Sequence, residues 1–455
     1  MLDTIAAIAT GDQISAIGII RISGPETLSV MEGVFTEQGK RPVSAFEPRK
    51  LYYGTLTDAE GNVLDHCLCT ISRAPHSYTG EDTAELQCHG SPVLLQSALM
   101  AIHTAGARQA RAGEFTKRAF LNGKLDLVQA EAVIDLIHAE TAQGAKNAAG
   151  QLGGAMSRKT DAVYDGLRDI LAHFHAELDY PDEDIEPFYL PEYRAAMAQY
   201  GLDLEALLAT CRRGQIMTQG VKTAILGLPN VGKSSLLNAL LGYERAIVTD
   251  IPGTTRDTLE ERVLMGDILL RLTDTAGVRD TPDEVEQQGV ARSMMAAQEA
   301  ELVLAVFDGT RPLEAGDLQV LETAKQAPHA IAVLSKADLP QQIDETAIST
   351  QFDAVVQLSA KTGAGLSDLE TAVSELFATV PVEAGYTLTN PRHVEAAERA
   401  HAHLTSAISA TDAGITPDAV LTELEGAMTA LGELTGRTLR EDIVGRIFER
   451  FCVGK

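Results

Sequence analysis

The sequence is short of positive charge. Its 37 Lys and Arg face 64 Asp and Glu, a formal net charge of −27 at pH 7. So acidic a chain does not wrap a polyanion by bulk charge. A nucleic-acid partner would need a local basic patch or a second protein to supply one. Long apolar runs are missing as well, and no stretch approaches the ~20 residues that span a bilayer. Met1-Leu2-Asp3 has no basic segment leading into an apolar one. No secretory signal or membrane span is expected, and cytoplasmic residence is the default. Five cysteines in 455 residues are too few for a disulfide framework. What remains is ample: 45% hydrophobic residues can fill about three domain cores.

Three textures follow one another. Residues 1–120 mix short strand-like runs with turns: 17–22 (IGIIRI) and 84–88 (AELQC) read as strands, and 92–105 as a helix. This predicts an α+β or α/β domain. Residues 121–216 turn helical, with Leu127, Ala130, Val133, Ile134 and Ile137 at 3.6-residue spacing. Helical texture returns in 381–455. Amphipathic helices must bury a face, so the two segments are expected to form one discontinuous bundle. Residues 217–380 would then be an inserted domain.

That insert carries the densest chemistry. The apolar strand 221–226 (VKTAIL) runs into Gly227-Leu-Pro-Asn-Val-Gly-Lys-Ser, which matches G-x-x-x-x-G-K-[ST], and a helix is expected at 235–241. Glycines let backbone N–H groups turn inward around phosphate oxygens, and the helix dipole adds to them. Asn230, Val231, Gly232, Lys233, Ser234 and Ser235 would line the phosphates. Lys233 would neutralise β/γ-phosphate charge and Ser234 would ligate Mg²⁺. The segment TDIPGTTRD (Thr249, Asp250, Ile251, Pro252, Gly253, Thr254, Thr255) suits a switch carrying a Mg²⁺-ligating threonine. Asp274, Thr275, Ala276 and Gly277 end the run ILLRLT; the Asp can hold Mg²⁺ through water and the Gly277 N–H can meet the γ-phosphate. Ser335-Lys336-Ala337-Asp338 closes the strand AIAVLS, and Ser359-Ala360-Lys361 closes VVQLS. Asp338 offers two oxygens to the N1–H and N2–H₂ edge of guanine, an edge adenine lacks. Five elements in order, each at a strand's C-terminal end, predict a Ras-like P-loop domain with a mixed, mostly parallel sheet that binds GTP. The stretch VLMGDILL predicts its antiparallel hairpin.

Hydrolysis needs more than these elements. Val278 follows Asp-Thr-Ala-Gly, where many GTPases place a water-orienting Gln. Glu286, in DEVEQQG, is available for that task, though in composition alone it reads as a solvated helix residue. The sequence names no arginine finger, although Arg256 and Arg279 lie in the switch segments. Asn230, with carbonyls of the TDIPGTT segment, can coordinate a monovalent cation in its place.

Together these segments resemble a known family, the tRNA-modifying GTPase MnmE (TrmE). The resemblance is carried along nearly the whole chain by GIIRISG (18–24), SYTGEDTAELQCHG (77–90), GEFTKRAFLNGKLDLVQAEA (113–132), GLPNVGKSSLLN, TDIPGTTRD, DTAG and the final FCVGK. It implies a GTPase driven by K⁺ at Asn230, Thr249, Ile251 and Thr254, with Mg²⁺ at Ser234 and Thr255 and Glu286 orienting water. It also implies an N-terminal tetrahydrofolate-binding and dimerisation domain with contacts at Arg21, Glu85, Lys124 and Lys455. The implied assembly is a homodimer, joined by the FAD-dependent partner MnmG into a heterotetramer. This assembly places a carboxymethylaminomethyl or aminomethyl group on C5 of the wobble uridine (position 34) of certain tRNAs, using a 5-formyl- or methylene-tetrahydrofolate donor. Two rival readings stay open on the residues: a ribosome-assembly GTPase of the Era or Der type, and a folate-binding scaffold whose G domain senses nucleotide. The sequence departs from the family at Ser335, where Asn is usual, and in ATGDQISAIG, which is poorer in Gly and Pro.

Cys452 sits in Cys-Val-Gly-Lys, but a final Lys and the lack of a polybasic run argue against lipidation. The resemblance makes its thiol a candidate catalytic group: a thiolate can attack C6 of a uracil and make C5 nucleophilic. A buried thiol is the equal alternative. His66, Cys67, Cys69, Cys88 and His89 fit no standard zinc spacing and are expected to be buried or incidental.

Overall fold

The computed structural model describes residues 3–11, 13–179, 188–243, 261–273, 297–377, 384–438, 447–449, 451 and 453–454. The chain forms two compact units: Met1–Ile134 with Gln151–Ala198 and Ala402–Lys455, and Asp135–Gly150 with Gln199–His401.

The first unit is built on seven strands: β1 (Ile5–Ile8), β2 (Ser15–Ser23), β3 (Phe35–Glu37), β4 (Tyr52–Thr57), β5 (Val63–Ser72), β6 (Thr83–Gly90) and β7 (Arg108–Gln109). They pair in the order β3-β4-β5-β6-β2-β1-β7, antiparallel except β1 with β7. Alternation decides the buried face. In β5, Asp65, Cys67, Cys69 and Ile71 point inward while His66 is exposed. Helices Thr27–Val34 and Pro92–Thr104 bring Val30, Met31, Leu95, Leu99 and Ile102 onto that face beside Ile20, Ile22 and Leu86. Pro92 at the first helical turn, after Ser91 as N-cap, starts the second helix where the sequence placed it.

Cys67, Cys69 and Cys88 belong to this core. Burial pushes the Cys69 thiol up to about 12. A hydrogen bond to Cys88, then burial, push Cys67 up as well. The imidazoles of His66 and His89 are exposed, and among the described residues no group of three or more such side chains gathers as a metal would need.

Helices complete the unit. Ala155–Asp179 packs along Pro417–Thr435, so segments far apart in sequence share one bundle. Arg437 ties them, 2.8 Å from Asp161 and over the Tyr164 ring. Leu127 and Ala130 pack on Phe448 and Phe451. The chain end is held too: Val453 bridges Ala112, and a Cβ on Gly454 would lie 2.4 Å from the Ile8 carbonyl.

The second unit holds β8 (Val221–Leu226), β9 (Glu261–Met265), β10 (Ile268–Leu272), β11 (Leu302–Asp308), β12 (His329–Ser335) and β13 (Ala354–Gln357). Their order is β13-β12-β11-β8-β10-β9, all parallel except the β9–β10 hairpin, which turns at Gly266 with φ +60°. This is the mixed, mostly parallel sheet expected of a P-loop domain. Strands β8, β11 and β12 read as continuous apolar runs because helices cover both faces. In the same unit Asn147 clamps residues 385–387: its amide accepts from the Gly385 and Thr387 N–H groups and donates to the Thr387 carbonyl.

Candidate functional site

The C-terminal ends of β8, β12 and β13 bring together the predicted nucleotide residues of 230–235, 335–338 and 359–361. After β8 the chain turns sharply at Gly227, where a Cβ would lie 2.6 Å from the Val306 carbonyl. Asn230 and Gly232 adopt positive φ, +62° and +106°, which lets successive N–H groups face one way before the helix Lys233–Tyr243 begins. The Lys233 ammonium donates to the carbonyls of Gly227 and Leu228, 2.9 and 2.8 Å away. Ser234 follows in the helix's first turn, where a hydroxyl can face a cation held by phosphate.

Beside this loop lies a cleft of about 170 Å³ lined by Gly232, Leu236, Ser335, Lys336, Asp338 and Ala360, among others. Ser335 is nearly buried and its hydroxyl donates to the Val231 carbonyl at 2.6 Å. Hence the residue that departs from the usual Asn still ties the base-side strand to the phosphate loop. Asp338 accepts from the Ser359 hydroxyl at 2.8 Å, and this bond holds its carboxyl below the usual range. A carboxylate kept ionised at the cleft rim is the acceptor a guanine edge requires.

Sequence reasoning missed Asp308. It ends β11 and accepts from the Lys336 ammonium at 2.6 Å and from the Thr310 N–H and hydroxyl at 3.0 and 2.6 Å. Burial works against its charge, but these donors bring the carboxyl down to about 2. Lys336 itself has φ +58°, so the ion pair fixes a side chain on a strained backbone. The signal was present: an apolar strand closing in Phe-Asp-Gly-Thr, parallel to one closing in Ser-Lys.

In the first unit, Arg21 and Glu85 lie opposite each other on β2 and β6 and pair at 2.9 Å. The Arg21 guanidinium sits 5.4 Å from the Tyr78 ring centre and 5.8 Å from that of Phe115. Lys124 donates to the Pro75 carbonyl at 3.0 Å. Tyr78 and Pro75 belong to one loop, so two candidate folate contacts, Arg21 and Lys124, touch a single segment, and Glu85 joins them through Arg21. That loop is fastened from beneath by Arg118, 1% exposed, which joins Glu81, Glu114 and Asp3. Thr249, Asp250, Ile251, Pro252, Gly253, Thr254, Thr255, Asp274, Thr275, Ala276, Gly277, Glu286, Cys452 and Lys455 lie outside the described residues.

Residues 4–124 match the family described as GTP-binding protein TrmE N-terminus, and 127–452 match the MnmE helical domain. A tRNA modification GTPase MnmE of Roseiflexus sp. (strain RS-1) is 42% identical, with 100% of this chain and 99% of that protein covered. The chain belongs to the MnmE family. Another MnmE, from Clostridioides difficile (strain 630), is 40% identical with the same coverage, and one from Symbiobacterium thermophilum is 41% identical with the same coverage. Among solved structures, the G domain of the T. maritima FeoB iron transporter is 28% identical and covers 35% of this chain and 99% of that chain, with a TM-score of 0.26. Membership in the MnmE family brings GTP and Mg²⁺ with it, and the phosphate loop and cleft above fit both. Among the described residues no helix is long and apolar enough to cross a membrane.

Proposed function

We propose that this chain is a K⁺-dependent GTPase that drives modification of the wobble uridine of certain tRNAs. It acts as a homodimer with the FAD-dependent partner MnmG, in the cytoplasm, with a tetrahydrofolate as one-carbon donor. The observation that carries the reading is that one chain, alike over its full length to tRNA modification GTPases, keeps an ordered phosphate loop joined to a guanine-sized cleft.

Each side chain has a task in this scheme. Backbone N–H groups of residues 230–235 and the Lys233 ammonium take the phosphate oxygens. Asp338 accepts from the guanine N1–H and N2–H₂, and Ser359 holds it in place. Mg²⁺, held by Ser234 and Thr255, would neutralise charge on the β- and γ-phosphates. Asn230, whose backbone is in the left-handed conformation, would share a K⁺ with Thr249, Ile251 and Thr254. That ion would supply the positive charge an arginine gives elsewhere. Glu286 would orient the attacking water. Arg21, Glu85, Lys124 and Lys455 would hold the folate, and Cys452 would serve the uridine.

Two measurements test this. Wobble uridines from cells lacking the chain should lose the C5 substituent on mass analysis; an unchanged spectrum ends the tRNA reading. Turnover should fall when K⁺ is exchanged for Na⁺ and on Asn230→Ala, whereas Glu286→Ala should spare GTP binding and abolish hydrolysis. Rates indifferent to the cation would remove the potassium mechanism.

A further inference from the structure

Strand β11 ends in Phe307-Asp308-Gly309-Thr310, and Asp308 stands opposite Ser335 across the β11–β12 ladder. The loop that follows β12 is laid onto this end. Gly309 donates its N–H to the Ser335 carbonyl at 3.2 Å. Its own carbonyl accepts from the Gln342 and Ile343 N–H groups at 2.7 and 3.3 Å. The Gln341 amide donates to the Lys336 and Leu339 carbonyls at 3.0 and 2.9 Å. A Cβ on Gly309 would overlap the Gln341 Oε1, so only glycine lets the loop come this close.

Lys336 is the first residue of that loop and holds φ +58°. Its ammonium reaches Asp308, at the end of β11, at 2.6 Å. Asp338 reaches the other way, to Ser359 just past β13, and β12 lies between these two strands. Two ties of opposite direction thus spread one loop over three strand ends, and both Lys336 and Asp338 line the cleft. Asp308 is itself fixed by the N–H and hydroxyl of Thr310, and its side chain is 12% exposed. An unpaired lysine samples many rotamers. This pair selects one before any ligand arrives.

We propose that Asp308 is a positioning residue for the guanine nucleotide. It acts through Lys336, holding the apolar stem of that lysine as a wall of the base cleft while the ammonium stays paired. A planar base has apolar faces to cover, and its hydrogen-bonding edge goes to Asp338. A stem laid on one face covers it without competing for that edge. Because the wall is set in advance, binding does not have to order it, and affinity rises. The inference rests on the seat given to guanine beside Asp338. Asp338→Asn tests that seat separately, by loss of the preference for guanine over adenine nucleotides.

A double-mutant cycle on the full chain tests Asp308, with the Kd for GDP read by calorimetry near neutral pH. Asp308→Asn keeps an acceptor for Thr310 and removes the charge. It should raise the Kd about tenfold. Lys336→Met keeps an apolar stem without its anchor and should raise the Kd by a similar factor. Adding Asp308→Asn to Lys336→Met should raise it no further. Asp308→Glu, which keeps the carboxylate, should recover most of the loss. Urea midpoints read alongside separate lost stability from lost affinity. A purely structural Asp308 makes the opposite forecast: its replacement weakens binding as much in the Lys336→Met background as alone. That result, or a Kd unmoved by Asp308→Asn, overturns the proposal.

Discussion

At Ser335 a hydroxyl reaches the Val231 carbonyl that lies 104 positions earlier in the chain. The bond is buried, so Ser335→Ala should cost about 1 kcal/mol of nucleotide affinity, roughly fivefold in Kd by calorimetry. GTP-over-ATP preference should persist if Asp338 sets it, as proposed above. An unaltered Kd would show that the strap does nothing for binding. Asp308 gives a pH prediction. Its carboxyl is held at about 2 in the folded chain against 3.8 when unperturbed. A depressed acid stabilises the fold above its unfolded value, and that contribution fades as pH drops from about 4 toward 2. Its size is on the order of 1–2 kcal/mol. Glu114 behaves alike: burial opposes its charge, but Arg108, the Arg111 N–H and Arg118 bring it to about 2. Urea midpoints of Asp308→Asn should therefore depend less on pH below 4 than those of the unaltered chain. Parallel curves would refute the pairing with Lys336.

Among the elements, two helical glycines separate packing from propensity. Gly214, in helix Cys211–Gln219, leaves no room: a Cβ there would lie 1.6 Å from the Leu388 carbonyl. Gly242, in helix Lys233–Tyr243, faces open space. Gly214→Ala should destabilise by about 2 kcal/mol or more through forced displacement of backbone. Gly242→Ala should be neutral or stabilising by up to about 1 kcal/mol. Chemical denaturation read by circular dichroism distinguishes them, and equal effects would mean the helix 211–219 contact is not formed. Asn147 belongs with Gly214. Its three bonds to residues 385–387 make Asn147→Ala cost about 2–3 kcal/mol, since buried backbone groups lose their partners.

The same examples mark what the sequence could disclose. The phosphate loop was legible because all its parts are contiguous and its glycines answer to a local backbone need. Strands β8, β10, β12 and β13 were legible as apolar runs, and VLMGDILL marked the hairpin. The Ser335 strap, the Asp308–Lys336 pair and the Asn147 clamp were not, because each joins residues from separate elements. Arg118 lay within a quoted motif yet read as one more charge. Only the fold shows that it is 1% exposed among Asp3, Glu81 and Glu114. Replacing it by Met should cost about 2–3 kcal/mol, because Glu81 would lose its cation, while Asp3 and Glu114 would keep only Arg108.

For the whole molecule, charge limits association with RNA. At net −27, the chain alone should bind tRNA weakly, and raising salt from about 50 to 200 mM should weaken it only slightly, since few phosphates are neutralised. If the proposed FAD-dependent partner supplies the basic surface, adding it should tighten binding at least about tenfold and steepen the salt dependence. Filter binding at several salt concentrations decides this. Tight, steeply salt-dependent binding by the chain alone would mean that a basic surface of its own does the work.

The stitching of Val453 and Gly454 to Ala112 and Ile8 means that both extremities of the polypeptide belong to one body. A permuted gene that fuses the old ends through a brief spacer, and opens anew at the Gly61 hairpin tip, should still encode a foldable molecule. The nucleotide-gripping half would then be reached only through internal crossings, as it is now.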